Sequence, residues 1–131
     1  SGKAILAYQS PAQIDAFLSR PHPRYTPATH ADAAAIREDL DQVRERGYAI
    51  CDGEFELGVL SYACPVLFDD AGVIYSVGTV ALGARLAGHP LDDVIEALRE
   101  ASETLARRIE RHDASASGGE FDVALRMGAA P

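Results

Sequence analysis

Two apolar segments, residues 57–68 and 73–82, flank the turn signal Asp69-Asp70-Ala71-Gly72. Segments of this length and composition read as strands. A short Asp/Gly connection joins such neighbours as an antiparallel hairpin. Both strands are apolar on both faces. A hairpin of this kind has to be covered on two sides, and so few strands do not make a stable sheet alone. The rest of the chain has to be read for what supplies that cover.

Upstream, the period is helical. Ala4-Ile5-Leu6-Ala7-Tyr8 begins a short helix almost at once. Ser10-Pro11-Ala12-Gln13 reads as a second start, with Ser10 as N-cap, Pro11 in the first turn and Gln13 completing a capping box. Ile14, Phe17 and Leu18 follow at helical spacing, and this helix ends before Pro21. Residues 20–27 hold Pro21, Pro23 and Pro27 and form a loop. Thr29 reads as the N-cap of a longer helix in which Ala33, Ile36, Leu40 and Val43 recur every three or four residues. Gly47, after Arg44, Glu45 and Arg46, is its stop. The period then changes. Residues 48–51 read as a short strand and 52–56 as a polar loop. After the hairpin, 83–89 reads as a loop and Pro90 opens a last helix, with Asp92 and Asp93 near its positive end. Leu91, Ile95, Leu98, Ser102, Leu105 and Ile109 share one face of it, suited to a core or to a dimer interface. The fold class is α+β. Residues 1–112 read as one domain and 113–131, small and polar, as a flexible tail. The strand count is low for the helices present, so further strands or another chain are expected to cover part of the sheet.

Charge excludes several partners. The 131 residues carry a net charge of -8. Affinity for nucleic acid comes largely from clustered Lys and Arg. The one dense basic group, Arg107, Arg108 and Arg111, alternates with Glu103 and Glu110 as a solvated helical face. Neither direct nucleic-acid binding nor an anionic membrane suits this chain. No apolar run approaches the roughly 20 residues that span a bilayer. Cys51 and Cys64 lack CxxC spacing, which fits a reducing, cytoplasmic compartment. Neither has the His partner or electropositive setting of a nucleophile. His22, His30, His89 and His112 are not paired at metal-ligand spacing. No catalytic residue, metal or cofactor is expected.

The stretch LDQVRERGYAICDGEFELGVLSYACPVLFDDAGVIYSVGTV, from Leu40, resembles the effector-binding domain of the IclR family of transcriptional regulators. Its parts are Val43-Arg44 with Gly47, Asp52 with Glu54 and Gly58, Ala63-Pro65-Val66 with Asp70 and Gly72, and the strand from Ser76 to Ala81. The opening GKAILAY resembles the family's GKA helix start, and Arg24-Tyr25-Thr26 with Thr29 resembles its linker. The resemblance covers roughly residues 1–110. It implies a GAF-like fold with a curved antiparallel sheet whose first strands are missing here. It also implies a winged helix-turn-helix DNA-binding domain outside this chain, through which alone operator DNA is contacted. Homodimers or homotetramers are implied as well, together with a small-molecule effector, often an organic or aromatic carboxylate.

By the same resemblance the pocket falls on Gly2, Lys3 and Ala4 at the helix start, on Cys51 or Asp52, on Ser61, and on Thr79 with Ala81. Period-two alternation groups Val59, Ser61, Ala63 and Leu67 on one strand, and Tyr75, Val77, Thr79 and Ala81 on the next. Ser61 and Thr79 are isolated hydroxyls in apolar rows. An unpartnered buried hydroxyl costs about 1–3 kcal/mol. A ligand carboxylate would satisfy each, and so would a backbone carbonyl or a water. The chain departs from the family at Ala81, which lacks a hydroxyl, and at Ser61, where a thiol is usual. Where the acidic-loop position falls on Cys51, a thiol also stands in place of an acid; together these departures point to a larger or less polar ligand or to a degenerate pocket. A GAF-like sensory module of another signalling protein is the rival reading. A small hydrolase ranks third, lacking a G-x-S-x-G elbow and an acid/base pair.

Overall fold

A computed structural model describes residues 1–68 and 72–116, so residues 69–71 of the expected turn at 69–72 and most of the expected tail lie outside the described residues. The elements run α1 (Gly2–Leu6), α2 (Pro11–Leu18), α3 (Ala33–Arg46), β1 (Ala49–Asp52), β2 (Val59–Pro65), β3 (Ser76–Leu82), α4 (Gly83–Leu86) and α5 (Leu91–Ala116). The α+β class holds.

Local chemistry sets these boundaries. At α2 the Ser10 hydroxyl accepts from the Gln13 N–H at 3.2 Å, and Gln13 Oε1 accepts from the Ser10 N–H at 3.0 Å, closing the capping box. The N-cap of α3 is Asp32, not Thr29: its carboxylate accepts from the Ala35 N–H at 2.9 Å. Thr29 lies a turn too early and is engaged elsewhere. Gly47 ends α3 at φ +83°, donating to the Val43 carbonyl at 2.8 Å. A residue with a Cβ is strained there. Both long strands are shorter than their apolar segments. Pro65 has no N–H to extend the ladder, and the last link is Val66 N–H to Tyr75 O at 2.9 Å. The expected loop at 83–89 contains the single turn α4. The helix α5 continues to Ala116, past Asp113 where the tail was expected to begin.

The sheet has the order β1-β2-β3, antiparallel throughout. Directly opposed residues share a face, so the register decides what each face contains. Ala63 opposes Ala49 and Gly78, Ser61 opposes Cys51 and Val80, and Val59 opposes Leu82. On the other face Tyr62 opposes Ile50 and Thr79, Leu60 opposes Asp52 and Ala81, and Cys64 opposes Val77.

Helices cover both faces. Ala49 and Ala63 join Ala4, Ala7, Ile14, Leu40 and Val43 in one core cluster beneath α1, α2 and α3. Leu40 is 1% exposed and Val43 is fully buried, each contributing about 1.5–3 kcal/mol by removal from water. Cys64 joins Ile95 and Leu98 of α5 in a second cluster, with Tyr62 and Val77 packed against it. The stripe on α5 is thus largely core, with Ser102 and Ala106 also buried while Leu91 and Leu105 stay partly exposed. Cover on the α1 side stops short of the sheet's end, where Val80 and Leu82 remain 71% and 67% exposed. Among the described residues no helix is long and apolar enough to cross a membrane.

Candidate functional site

The short helix α1 lies over the sheet with Ala4 and Ala7 fully buried in the cluster that holds Ala49 and Ala63. Ala4 is therefore packing; its neighbours Gly2 and Lys3 are the accessible part of the helix start. Space beside Gly2 is open, since a Cβ there would meet nothing within 4 Å.

Lys3 is the centre of an ion cluster. Its Nζ lies 2.6 Å from Asp39 Oδ2 and 2.6 Å from Glu54 Oε1, with side-chain exposures of 21%, 11% and 16%. These pairs tie α1 to α3 and to the loop after β1. Arg46 stands 3.8 Å from the other Asp39 oxygen, its Nε donating to the Tyr48 carbonyl at 2.7 Å. The loop carrying Glu54 is held by two threonines that the sequence alone did not single out for this task. Thr26 donates to the Gly53 carbonyl at 2.6 Å and Thr29 to the Glu54 carbonyl. Their spacing in the Arg24–Thr29 segment was the visible signal. His30, Asp39 and Glu54 bring one ligand atom each within 4.8 Å of one another, a spacing compatible with a metal, but the Lys3 ammonium already contacts both carboxylates.

Beyond α1 on the same face lie Cys51 and Ser61, half-buried and directly opposed across β1 and β2. The Cys51 thiol is pushed above its ordinary range by burial first and by Glu54 second; Lys3 and the Ser61 hydroxyl pull it back less. Burial of this kind disfavours the thiolate, the nucleophilic form of a cysteine.

Of the expected site residues, the register opposes Cys51 and Ser61 across β1 and β2, while Gly2 and Lys3 line a groove beside α1. The structure does not bring Thr79, Ala81 or Asp52 to the face of Cys51 and Ser61. Ser61 is opposed to Val80, so odd-numbered β2 residues share their face with even-numbered β3 residues. Thr79 faces α5, in a depression of about 450 Å³ with Leu86, Val94 and Leu98. Ala81 and Asp52 flank Leu60 on that same side. The β3 residues beside Ser61 are Val80 and, one row on, Leu82, which were not foreseen. A groove of about 530 Å³ also opens on the outer side of α1, walled by Ile5, Leu6, Phe17 and Ile36 and ending at Lys3, Asp39 and Glu54.

Residues 1–107 match the family described as bacterial transcriptional regulator IclR C-terminal. This chain belongs to the IclR family. It is 37% identical over 113 residues to the HTH-type transcriptional regulator BhcR of Paracoccus denitrificans, which covers 82% of this chain and 40% of BhcR. A putative IclR regulator from Silicibacter sp. TM1040 superposes with a TM-score of 0.74 at 38% identity, over 83% of this chain and 43% of that one. An IclR homolog from Microbacterium hydrocarbonoxydans, solved in complex with 4-hydroxybenzoate, superposes with a TM-score of 0.73 at 27% identity, over 85% of this chain and 44% of its own. The IclR chain described here thus spans less than half the length of these relatives.

Proposed function

We propose that this chain is the sensing part of a bacterial transcriptional regulator, and that a small organic effector binds on the sheet face where Cys51 and Ser61 adjoin the Gly2–Lys3 start of α1. The observation that carries this reading is the register, which puts a thiol and a hydroxyl side by side on the sheet face that α1 packs against. Polar groups set in an apolar surface orient a ligand whose body is held by Val59, Val80 and Leu82. The Microbacterium homolog, solved with 4-hydroxybenzoate, supports a ligand of one-ring size. Contact with operator DNA belongs to a winged helix-turn-helix segment outside this chain, which the net charge of -8 makes unsuited to that contact itself. Assembly as a homodimer or homotetramer and a cytoplasmic location complete the proposal.

The test is thermal stabilisation against a panel of small ring compounds and short organic acids. A compound that binds only the folded chain stabilises it by about 2.7 kcal/mol at a hundred times its Kd. Ser61→Ala is expected to weaken a hit at least tenfold, and Thr79→Val, on the opposite face, to leave it within twofold. Loss in Thr79→Val with retention in Ser61→Ala would move the site to the α5 side and overturn the assignment.

A further inference from the structure

We infer that Arg46 is a two-position contact that couples the start of α1, on one face of the sheet, to α5, on the other. In one position its guanidinium lies over the Tyr48 ring; in the other it closes on Asp39. The ammonium of Lys3 selects between them. The device needs no ligand, so it stands apart from the proposed effector face.

Arg46 is the last residue of α3, and its side chain is 25% exposed. Its Nε donates to the Tyr48 carbonyl at 2.7 Å, and its guanidinium carbon stands 5.3 Å from the centre of the Tyr48 ring. Its Nη2 comes only to within 3.8 Å of Asp39 Oδ1. A charge-assisted hydrogen bond of this type is about 2.7–2.9 Å long, so this contact is slack and has room to close. The other Asp39 oxygen is held by Lys3 at 2.6 Å. Among the described residues these two cations make the ion pairs of Asp39. Once the Lys3 ammonium is lost, Asp39 is a carboxylate 11% exposed with Arg46 as its remaining partner. Leaving such a charge unpaired is strongly unfavourable, so Arg46 is drawn off the ring and onto Asp39.

The far end of the coupling is Arg99 of α5. Its Nη2 donates to the Arg46 carbonyl at 2.9 Å. That bond docks α5 on the C-terminal end of α3, where the last carbonyls lack partners within the helix and a cation is favoured. Arg99 is also the second cation on the Tyr48 ring, 5.9 Å from its centre. The ring itself packs against the cluster of Cys64, Ile95 and Leu98 beneath α5. Two like charges thus share one aromatic ring. When Arg46 moves to Asp39, Arg99 keeps the carbonyl and has the ring without a competing guanidinium. Loss of charge at the start of α1 therefore strengthens the hold of Arg99 on the other face.

The test is urea unfolding of the 131-residue chain in about 1 M salt, where a Debye length of about 3 Å screens any field acting through solvent. Arg99→Met is expected to raise the unfolding equilibrium constant at least threefold more in the Lys3→Met background than in the unmodified chain. Sites without shared partners add to within about twofold in that constant. The excess is expected to fall inside that range once Arg46→Met is added. Arg107→Met is the control, since it removes the same charge from the same helix at a residue paired with Glu103; its excess is expected to stay within twofold. Nuclear magnetic resonance supplies a second readout: the Tyr48 ring protons are expected to shift in Lys3→Met and to stay in place in Arg107→Met. Additivity of Lys3→Met and Arg99→Met would overturn the inference, as would an excess that survives Arg46→Met or is matched by Arg107→Met. Where a multiple variant unfolds before it can be titrated, Lys3→Met alone decides, and unmoved Tyr48 signals overturn the inference.

Discussion

Replacing Lys3 by methionine keeps much of the stem's length and apolar contact while deleting the ammonium that joins α1, α3 and the Glu54 loop. The two carboxylates left behind are only 11% and 16% exposed. Their remaining cationic neighbours are Arg46 at 3.8 Å from Asp39 and, when protonated, His30 at 4.0 Å from Glu54. Exposed ion pairs contribute about 0.2–1 kcal/mol, and breaking one side of a fully buried pair costs about 3–5 kcal/mol. Side chains buried to this degree fall between, so Lys3→Met is expected to destabilise the chain by about 2 kcal/mol. For a domain of this size that lowers Tm by about 8 °C and shifts the urea midpoint by about 1 M. The assay is urea unfolding followed by far-ultraviolet circular dichroism, with the double variant Lys3→Met/Asp39→Asn closing a cycle. A coupling energy of at least about 1 kcal/mol between positions 3 and 39 is expected. A midpoint shift below about 0.3 M, with coupling near zero, would show that the cluster behaves as a solvated surface group and would refute the reasoning.

Two further outcomes follow from the sheet and the thiols. A Cβ at Gly78 would lie 2.8 Å from the Tyr62 carbonyl oxygen and 3.2 Å from Ala63 Cβ, so Gly78→Ala is expected to cost about 1–3 kcal/mol by forcing β3 away from β2; an unchanged unfolding midpoint would contradict the packing at that row. Burial pushes the Cys51 and Cys64 thiols up, so both are protonated in the folded chain where an unfolded thiol would ionise. The stability this confers is complete at neutral pH and is lost as pH rises beyond the ordinary thiol range; a double Cys51→Ala/Cys64→Ala variant is expected to lose less of its own stability between neutral and alkaline pH, and an identical alkaline decline in both proteins would speak against it.

Where a structural decision is made by neighbouring residues, the sequence was sufficient to read it. Ser10 and Gln13 find each other three residues apart, and Gly47 supplies the left-handed stop within its own turn. The cap of α3 was misread because Thr29 and Asp32 are both good caps, and what separates them is a distant loop: Thr29 is committed to the Glu54 carbonyl. The larger misreading concerned Thr79. Alternation tells which residues of one strand go together, but not which set of the next strand joins them. That depends on hairpin register, which is set by the connection through 66–75, and a slip of one residue exchanges faces. Where both strands are apolar on both faces, hydrophobic pattern gives no vote. Ser61 drew attention as a lone hydroxyl in its row; its neighbours on β3, Val80 and Leu82, carry no polar side-chain atom that would do the same. The Lys3 cluster joins residues 3, 39 and 54, separations at which no periodicity in the chain speaks.

The alternation of β2 also sets how short a mechanical linkage can be. Ser61 looks toward α1, and the very next residue, Tyr62, packs against the cluster containing Ile95 and Leu98 on α5. The sheet acts here as a single-layer diaphragm. An effector bound at Ser61 as proposed would therefore be one peptide unit away from a 26-residue helix.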